Sequence, residues 1–164
     1  MHIPPNEVRG PSSTIQFVVK APRKVVFSYI TAEDVLPKVL TGYGLLPGVV
    51  STSGNTGPWD RPGSIRVVHL KDGSTAQEEV TSFQSPHYFA YRISKCTFAL
   101  KHFADFAKGE WWFEELGEQT KVCWRYSFHS KHLLTKPILA LFVRLQWRGY
   151  MKVCQNHVIQ DLAN

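Results

Sequence analysis

The sequence has 164 residues, of which 43% are hydrophobic and 20% charged, as is typical of one globular domain with its own core. Its net charge of +6 arises from 19 lysines and arginines that are dispersed along the chain without a nucleic-acid-binding motif, so we predict no nucleic-acid partner. Three widely spaced cysteines, the lack of a signal-peptide pattern and the lack of any run of 18 apolar residues predict a cytoplasmic location and no membrane-spanning helix.

The first third of the chain predicts one strand and two short helices. Residues 1–12 contain three prolines and few apolar side chains, so we expect a flexible N-terminal tail. Residues 14–20 alternate between apolar and polar side chains, as a half-buried strand does. Pro22 suits the first turn of a helix, since its missing N–H needs no partner there. Thr31 can cap a second short helix that runs to about residue 40.

A segment rich in glycine and proline follows, from residue 41 to residue 63. Only residues 49–53 within it have a strand pattern, and the remainder is expected to be a loop. Trp59 lies near its centre, and we predict that this loop is mobile and gates access to the interior.

The second half of the chain predicts five further strands and one long helix. Asp72-Gly73 is a typical hairpin turn between the first two of these strands. The last strand has the clearest alternation, which predicts one packed and one solvent-facing side. The predicted strands cover residues 64–70, 75–83, 87–93, 106–115 and 120–130. Residues 136–162 follow as a helix with an apolar stripe at steps of three and four.

Several stretches of the chain form a recognisable set: the opening strand, APRKVVFSYI at 21–30, EEVTSF at 78–83 followed by PHYFAYRI at 86–93, and GEWWFEELGEQTKVCWRYSF at 109–128. Through them the chain resembles the START-like helix-grip superfamily, also called SRPBCC. The resemblance covers residues 13–164 as a single domain. It implies an α+β fold in which a seven-stranded, curved antiparallel sheet wraps around a long C-terminal helix, with two short helices after strand 1. It also implies a ligand cavity between sheet and helix, without indicating the ligand.

Two charged residues stand on strand faces that are otherwise apolar. Arg66 alternates with Val68, and Glu78 alternates with Val80. The two charges face the same side if the Asp72-Gly73 connection is bulged, and opposite sides if it is a strict two-residue turn. If they meet, they form either a structural ion pair or a device that orients the polar end of a ligand.

We predict that one set of side chains lines the cavity, because ligand sites favour apolar and aromatic walls with a few polar groups. No cofactor is predicted, and no metal site, since the spacing of His129 and His132 is not that of a metal motif. The predicted ligand-binding residues are Phe17, Arg66, Val68, Glu78, Val80, Phe89, Tyr91, Trp111, Phe113, Trp124, Tyr126, Trp147 and Met151.

Three functions remain open at this stage. The first is a non-enzymatic binding or carrier module for a hydrophobic small molecule such as a lipid, an isoprenoid or an aromatic polyketide. The second is an enzyme of the polyketide cyclase/dehydratase type, in which Arg66, Glu78 and Tyr91 polarise a carbonyl and move a proton. The third is a protein-interaction domain with a vestigial cavity.

The early part of the C-terminal helix, residues 137–147, is apolar on more than one face. Adjacent loops could cover it, a second copy of the chain could pack on it as a homodimer, or it could contact a membrane surface. A row of basic residues at Arg144, Arg148 and Lys152 would favour membrane contact, which would be peripheral.

Overall fold

The computed structural model describes residues 1 and 3–163, which form an α+β structure. Short 3₁₀ turns at Ala99–His102 and Leu133–Thr135 and a π-helical turn at Val143–Trp147 supplement the strands and helices. In chain order the main elements are β1 (Ser12–Val19), α1 (Arg23–Ile30), α2 (Leu36–Val39), β2 (Gly42–Tyr43), β3 (Leu46–Pro47), β4 (Val49–Ser53), β5 (Ile65–Leu70), β6 (Thr75–Gln84), β7 (Tyr88–Ser94), β8 (Ala104–Leu116), β9 (Gln119–Ser130), α3 (Lys136–Phe142) and α4 (Arg148–Asp161).

Seven strands form one antiparallel sheet in the order β1-β9-β8-β7-β6-β5-β4. The predicted seven-stranded sheet and the two short helices after strand 1 are therefore confirmed. The predicted cap is wrong, since Thr31 ends α1 and α2 begins only at Leu36. A small hairpin, β2–β3, lies outside this sheet and was not predicted, because two-residue strands leave no periodic pattern. It lies within the segment that the sequence predicted as a loop.

One face of the sheet, called the inner face here, packs against the C-terminal helix. Alternation along β9 directs Val122, Trp124, Tyr126 and Phe128 to this face, and all four are buried. The predicted helical stripe is confirmed, since its members are buried or half-buried in the same core: Val143, Trp147, Met151, Cys154, Val158 and Leu162.

The C-terminal helix is not uniform along its length. A π-helical turn, Val143–Trp147, separates α3 from α4. Such wide turns are frequent at functional sites, because they re-aim the side chains that follow. Here the turn ends at Trp147, whose ring lies 4.4 Å from that of Tyr126 and 5.2 Å from that of Phe128, measured between centroids.

The outer face of β9 is covered, and the predicted solvent-facing side is wrong at its centre. Cys123 and Ser127 have no exposed surface, and Arg125 is 6% exposed. Residues before β1 contribute to this cover: the carbonyl of Pro4 accepts a hydrogen bond from Arg125 (2.7 Å), and that of Arg9 accepts one from the backbone N–H of Ser130 (2.9 Å). The segment that we expected to be a flexible tail therefore lies along β9, and its flexibility stays a prediction.

Candidate ligand-binding cavity

The hairpin between β5 and β6 decides which way its two charged residues face. Arg66 lies directly opposite Glu78, and Val68 lies opposite Ala76. The connection is a three-residue loop closed by Gly73, whose φ of +83° is the left-handed conformation that such a bulged loop needs. Both charges therefore lie on the inner face.

Arg66 and Glu78 form a buried ion pair that is tied to the rest of the fold. Arg66 Nε donates to Glu78 Oε2 at 2.7 Å, and another guanidinium nitrogen donates to the carbonyl of Glu33 at 2.7 Å. The Trp59 ring covers the guanidinium, with 3.8 Å between Arg66 Cζ and the ring centroid. Burial raises the pKa of Glu78, and the Arg66 charge opposes that rise.

Trp59 does not form an exposed loop tip. Its side chain is 4% exposed and belongs to the core. It closes the interior over Arg66, where a cation–π contact stabilises it. Its predicted gating role stays a prediction, and any gating there would first require separation of the indole from the guanidinium.

Three adjoining chambers lie between the sheet, the helices and the β2–β3 hairpin. The deep chamber, under Trp59 and Arg66, has a volume of about 30 Å³. The middle chamber has a volume of about 80 Å³ and is lined by Val68, Ala76 and Trp147 among others. The outer chamber has a volume of about 420 Å³, which lies within the range of roughly 300–1,000 Å³ found for small-molecule sites.

Shared walls show that the chambers form one series from the core to the surface. The deep and middle chambers share Leu36, Leu40, Glu78, Tyr91 and Trp124. The middle and outer chambers share four apolar residues, from the β2–β3 hairpin and the segment before β8: Leu46, Pro47, Phe98 and Leu100.

Nine of the thirteen predicted ligand-binding residues line this series: Arg66, Val68, Glu78, Phe89, Tyr91, Trp111, Trp124, Tyr126 and Trp147. The other four, Phe17, Val80, Phe113 and Met151, are buried in the core and line none of the three chambers. Packing by α1 accounts for Phe113, since the Phe27 ring lies 5.1 Å from it and occupies the space beneath that part of the sheet.

The sequence interpretation missed the wall that faces the sheet. Six residues that each line two chambers were left out of the predicted set: Leu36, Leu40, Leu46, Pro47, Phe98 and Leu100. The i, i+4 spacing of Leu36 and Leu40 was the available signal. The hairpin residues gave none, because their position depends on contacts with a helix a hundred residues later.

Those contacts fix the β2–β3 hairpin against the C-terminal helix. Tyr43 lies over Gly149, where a Cβ atom would be only 2.1 Å from the tyrosine ring. The backbone N–H of Leu45 donates to Gln146 Oε1 at 3.0 Å, and the Tyr150 hydroxyl donates to the carbonyl of Pro47 at 3.2 Å. The hairpin therefore lies over the π-helical turn and forms part of the outer chamber.

The largely apolar walls carry a few polar groups, and two of them lack a hydrogen-bond partner in the described part of the chain. The indole N–H groups of Trp124 and Trp147 are buried without a hydrogen-bond partner among the described residues. Burial raises the pKa of Tyr91 and of Tyr126 well above the ordinary value, so both hydroxyls keep their protons. Burial likewise raises the pKa of Cys154, so this residue is a thiol and not a nucleophilic thiolate.

Among the residues that the structure describes, no helix is long and apolar enough to span a membrane. No group of three or more histidine, cysteine or acidic side chains within residues 1 and 3–163 is arranged to hold a metal ion.

Comparison with protein families assigns the chain. The family model described as "Polyketide cyclase / dehydrase and lipid transport" matches residues 11–157. The chain belongs to this family. The resemblance to the START-like helix-grip superfamily is thereby confirmed. A separate comparison with curated proteins found no match to the sequence.

Solved structures similar to this member of the polyketide cyclase/dehydrase and lipid-transport family share its fold at low sequence identity. Ginseng major latex-like protein 151 from Panax ginseng is 12% identical, with a TM-score of 0.71 over 94% of this chain and 98% of that one. Ara h 8.0201 is 16% identical (TM-score 0.68, 92% and 98% covered), and the protein XoxI from Bacillus cereus is 17% identical (TM-score 0.69, 93% and 96% covered). The family match and the shared fold together show that this chain has a fold of the kind that binds hydrophobic ligands.

Proposed function

We propose that this protein binds and carries an elongated hydrophobic small molecule, such as a lipid, an isoprenoid or an aromatic polyketide, without transforming it. The observation that carries this proposal is the series of three chambers with apolar and aromatic walls. The outer chamber alone reaches the volume of a small-molecule site. The ligand therefore occupies the outer chamber and extends one end inward, where side chains give way to it.

The unpaired indole groups favour a ligand that carries an oxygen at its inner end. A buried N–H without a partner costs about 1–3 kcal/mol, and Trp124 and Trp147 each have one on the middle chamber wall. A carbonyl, hydroxyl or ether oxygen would accept from these groups and remove that cost. The apolar remainder of the ligand would lie between Leu46, Phe98 and Leu100.

A cyclase or dehydratase is the second candidate, and the Glu78 carboxyl favours it. This carboxyl and the Tyr91 side chain line both inner chambers, and burial raises the pKa of Glu78 towards the range of a general acid or base. Arg66 is less suited to the role proposed for it, since it already contacts Glu78, Glu33 and Trp59. Returning an extracted ligand to the protein separates the candidates when the released compound is analysed by both mass and chromatographic retention. A carrier releases the same compound, a dehydratase releases a product lighter by one water, and a cyclase releases an isomer of unchanged mass and different retention.

Native mass spectrometry of the protein from its own host tests the proposal. We expect an added mass that disappears on denaturation. Ala76→Phe fills the middle chamber and should reduce retained ligand about tenfold or more, because the ring occupies the ligand's path. Val50→Phe is the matched control, since Val50 is 54% exposed. Circular dichroism checks that both variants fold.

Two results would contradict this function. One is a chain that carries no added mass and takes up no hydrophobic probe, which would leave a protein-interaction domain with a vestigial cavity. The other is full ligand retention by a folded Ala76→Phe variant, which would place the ligand outside the chambers.

The role of the indole donors gives a separate expectation. Trp147→Phe keeps an aromatic ring but removes the N–H, so binding of prodan, a naphthalene with a ketone oxygen, should weaken about fivefold, equivalent to one hydrogen bond. Binding of pyrene, which has no acceptor, should change far less. Fluorescence titration measures both, and Trp112→Phe serves as the control because Trp112 lines none of the three chambers. Equal losses for the two probes would show that ring packing, rather than the N–H, is responsible.

A further inference from the structure

The start of the C-terminal helix presents a continuous row of exposed apolar side chains. Leu133 and Leu134 are 71% and 89% exposed, and three residues further along the same side are 55–57% exposed: Ile138, Leu141 and Leu145. Steps of four, three and four residues place Leu134, Ile138, Leu141 and Leu145 on one side, and Leu133 adjoins them in the 3₁₀ turn before α3. We call this row the leucine face. Isolated exposed leucines are ordinary, but a contiguous group marks an interaction surface.

The leucine face borders the mouth of the outer chamber. Ile138 belongs to both, and Leu45, at the tip of the β2–β3 hairpin, lines the chamber and is 87% exposed. Two elements that are far apart in the sequence therefore present apolar side chains around one opening. Whatever covers this surface also faces the opening through which a ligand would pass.

The segment that carries the leucine face has only basic charged side chains, whereas Asp72 of the β5–β6 loop lines the outer chamber beside it. From Gln119 to Gln160 the chain contains no aspartate or glutamate. Five basic residues of this stretch are exposed: Lys131, Lys136, Arg144, Arg148 and Lys152. Arg144 follows Leu141 by three residues and Arg148 follows Leu145 by three, so both arginines flank the row directly.

We propose that the leucine face and Leu45 dock peripherally on an anionic lipid bilayer, with the mouth of the outer chamber against the membrane. Apolar side chains ringed by cations fit an interface in which leucines enter the acyl boundary and basic groups meet anionic headgroups. Each basic residue near such a surface adds to the attraction between the protein and the anionic headgroups. The docked protein would exchange its ligand with the membrane without exposing it to water.

A second copy of this chain fits the surface less well. A two-fold interface places the same patch on both sides, so the leucine face would bring ten exposed cations together without a compensating carboxylate from residues 119–160. Like charges across an interface are unfavourable. An anionic membrane supplies the opposite charge instead.

Vesicle flotation tests the docking surface. The full chain should bind vesicles of equimolar phosphatidylcholine and phosphatidylserine, bind far less to phosphatidylcholine alone, and dissociate as salt is raised. Leu134→Glu/Leu141→Glu should weaken binding about tenfold or more, since two carboxylates would have to enter the bilayer boundary. The control is Val50→Glu/Leu116→Glu, at two residues that are 54% and 45% exposed elsewhere on the surface, and it should bind as the unchanged chain does.

Prodan binding separates loss of docking from loss of ligand binding, and light scattering shows whether the chain forms a dimer. Leu134 and Leu141 line none of the three chambers, so the docking variant should still bind prodan, and failure of docking is distinct from failure of ligand binding. Equal vesicle binding by the docking variant and the control would overturn the proposal. The proposal would also be overturned if the unchanged chain did not bind anionic vesicles but formed a dimer, and if Leu134→Glu/Leu141→Glu were monomeric. The leucine face would then be covered by a second copy of the chain.

Discussion

Replacing Arg66 with alanine is expected to lower the free energy of unfolding by about 3–5 kcal/mol, the usual cost of removing one partner from a buried ion pair. Arg66 and Glu78 are 1% and 2% exposed, so the carboxylate would be left in the core without its cation. The change also removes the donor to the Glu33 carbonyl and the cation beneath Trp59. Denaturant titration followed by far-ultraviolet circular dichroism measures the loss.

The pH dependence of this deficit has a definite sign. Burial already raises the pKa of Glu78, and loss of the cation raises it further. A carboxyl with a raised pKa in the folded state destabilises the fold where the unfolded chain is ionised, and this penalty vanishes once both states are protonated. The part of the Arg66→Ala deficit that comes from the unpaired charge should therefore shrink as pH falls, and it should vanish once Glu78 is protonated in the folded state of both chains.

Two further variants separate charge burial from lost packing. Arg66→Met/Glu78→Leu removes both charges and should recover most of the stability, because no unpaired group remains. Arg144→Ala, at an exposed site, should change stability by less than about 0.5 kcal/mol. An Arg66→Ala variant as stable as the unchanged chain would refute the burial of this pair in solution.

The inner face of the sheet could be predicted from the sequence because it depends on local periodicity. Alternation along a strand fixes which side chains share a face whatever the strand pairs with. Alternation placed Arg66 on the same strand face as Val68, and Glu78 on the same strand face as Val80. The spacing along the C-terminal helix likewise identified its buried stripe. Whether the two charges would meet was beyond that reasoning, since it depended on the left-handed conformation of one glycine in the connecting loop.

Features created by distant backbone contacts could not be predicted. The N-terminal residues cover β9 through carbonyl groups, and any residue type offers a carbonyl, so the sequence carries no trace of this arrangement. The chambers depend on how α2 and the β2–β3 hairpin pack against α4. The packing of α1 against the sheet is likewise a distant contact, and it explains why Phe113, an aromatic on the inner face, meets Phe27 of α1 instead of a ligand.

The two buried ion pairs of the sheet differ in how many donors the carboxylate accepts from. Glu78 has one cationic partner in the core. Glu110, on the outer face, accepts hydrogen bonds from Arg125, Lys108 and Tyr88 at 2.8–2.9 Å. Burial alone would raise the pKa of Glu110, but these donors outweigh it and hold the pKa below its ordinary value. The two carboxyls therefore respond to acid in opposite ways.

Glu110→Ala is expected to cost about 3 kcal/mol of unfolding free energy, because it leaves the Arg125 guanidinium buried without a carboxylate. The cost stays near the lower end of the range for such pairs, since Arg125 keeps its bond to the Pro4 carbonyl and its position over Trp112. A carboxyl with a lowered pKa contributes stability above its ordinary pKa of 4.5 and loses it as pH falls through the lowered value. The gap between the unchanged chain and this variant should therefore stay constant down to about pH 4.5 and narrow only below it, as measured by denaturant titration at each pH.

Deleting residues 1–9 shows whether the N-terminal segment is the source of this cost. The deletion removes the Pro4 carbonyl and admits water to the pair, and solvent-exposed pairs contribute only about 0–1 kcal/mol. Glu110→Ala in the shortened chain should therefore cost a third or less of its cost in the full chain, a coupling that a double-mutant cycle reports directly. Glu118→Ala, in the exposed turn before β9, should cost the same small amount in both backgrounds. If Glu110→Ala costs as much without the segment as with it, the pair owes its burial to its neighbours in the sheet and the N-terminal residues are a passive cover.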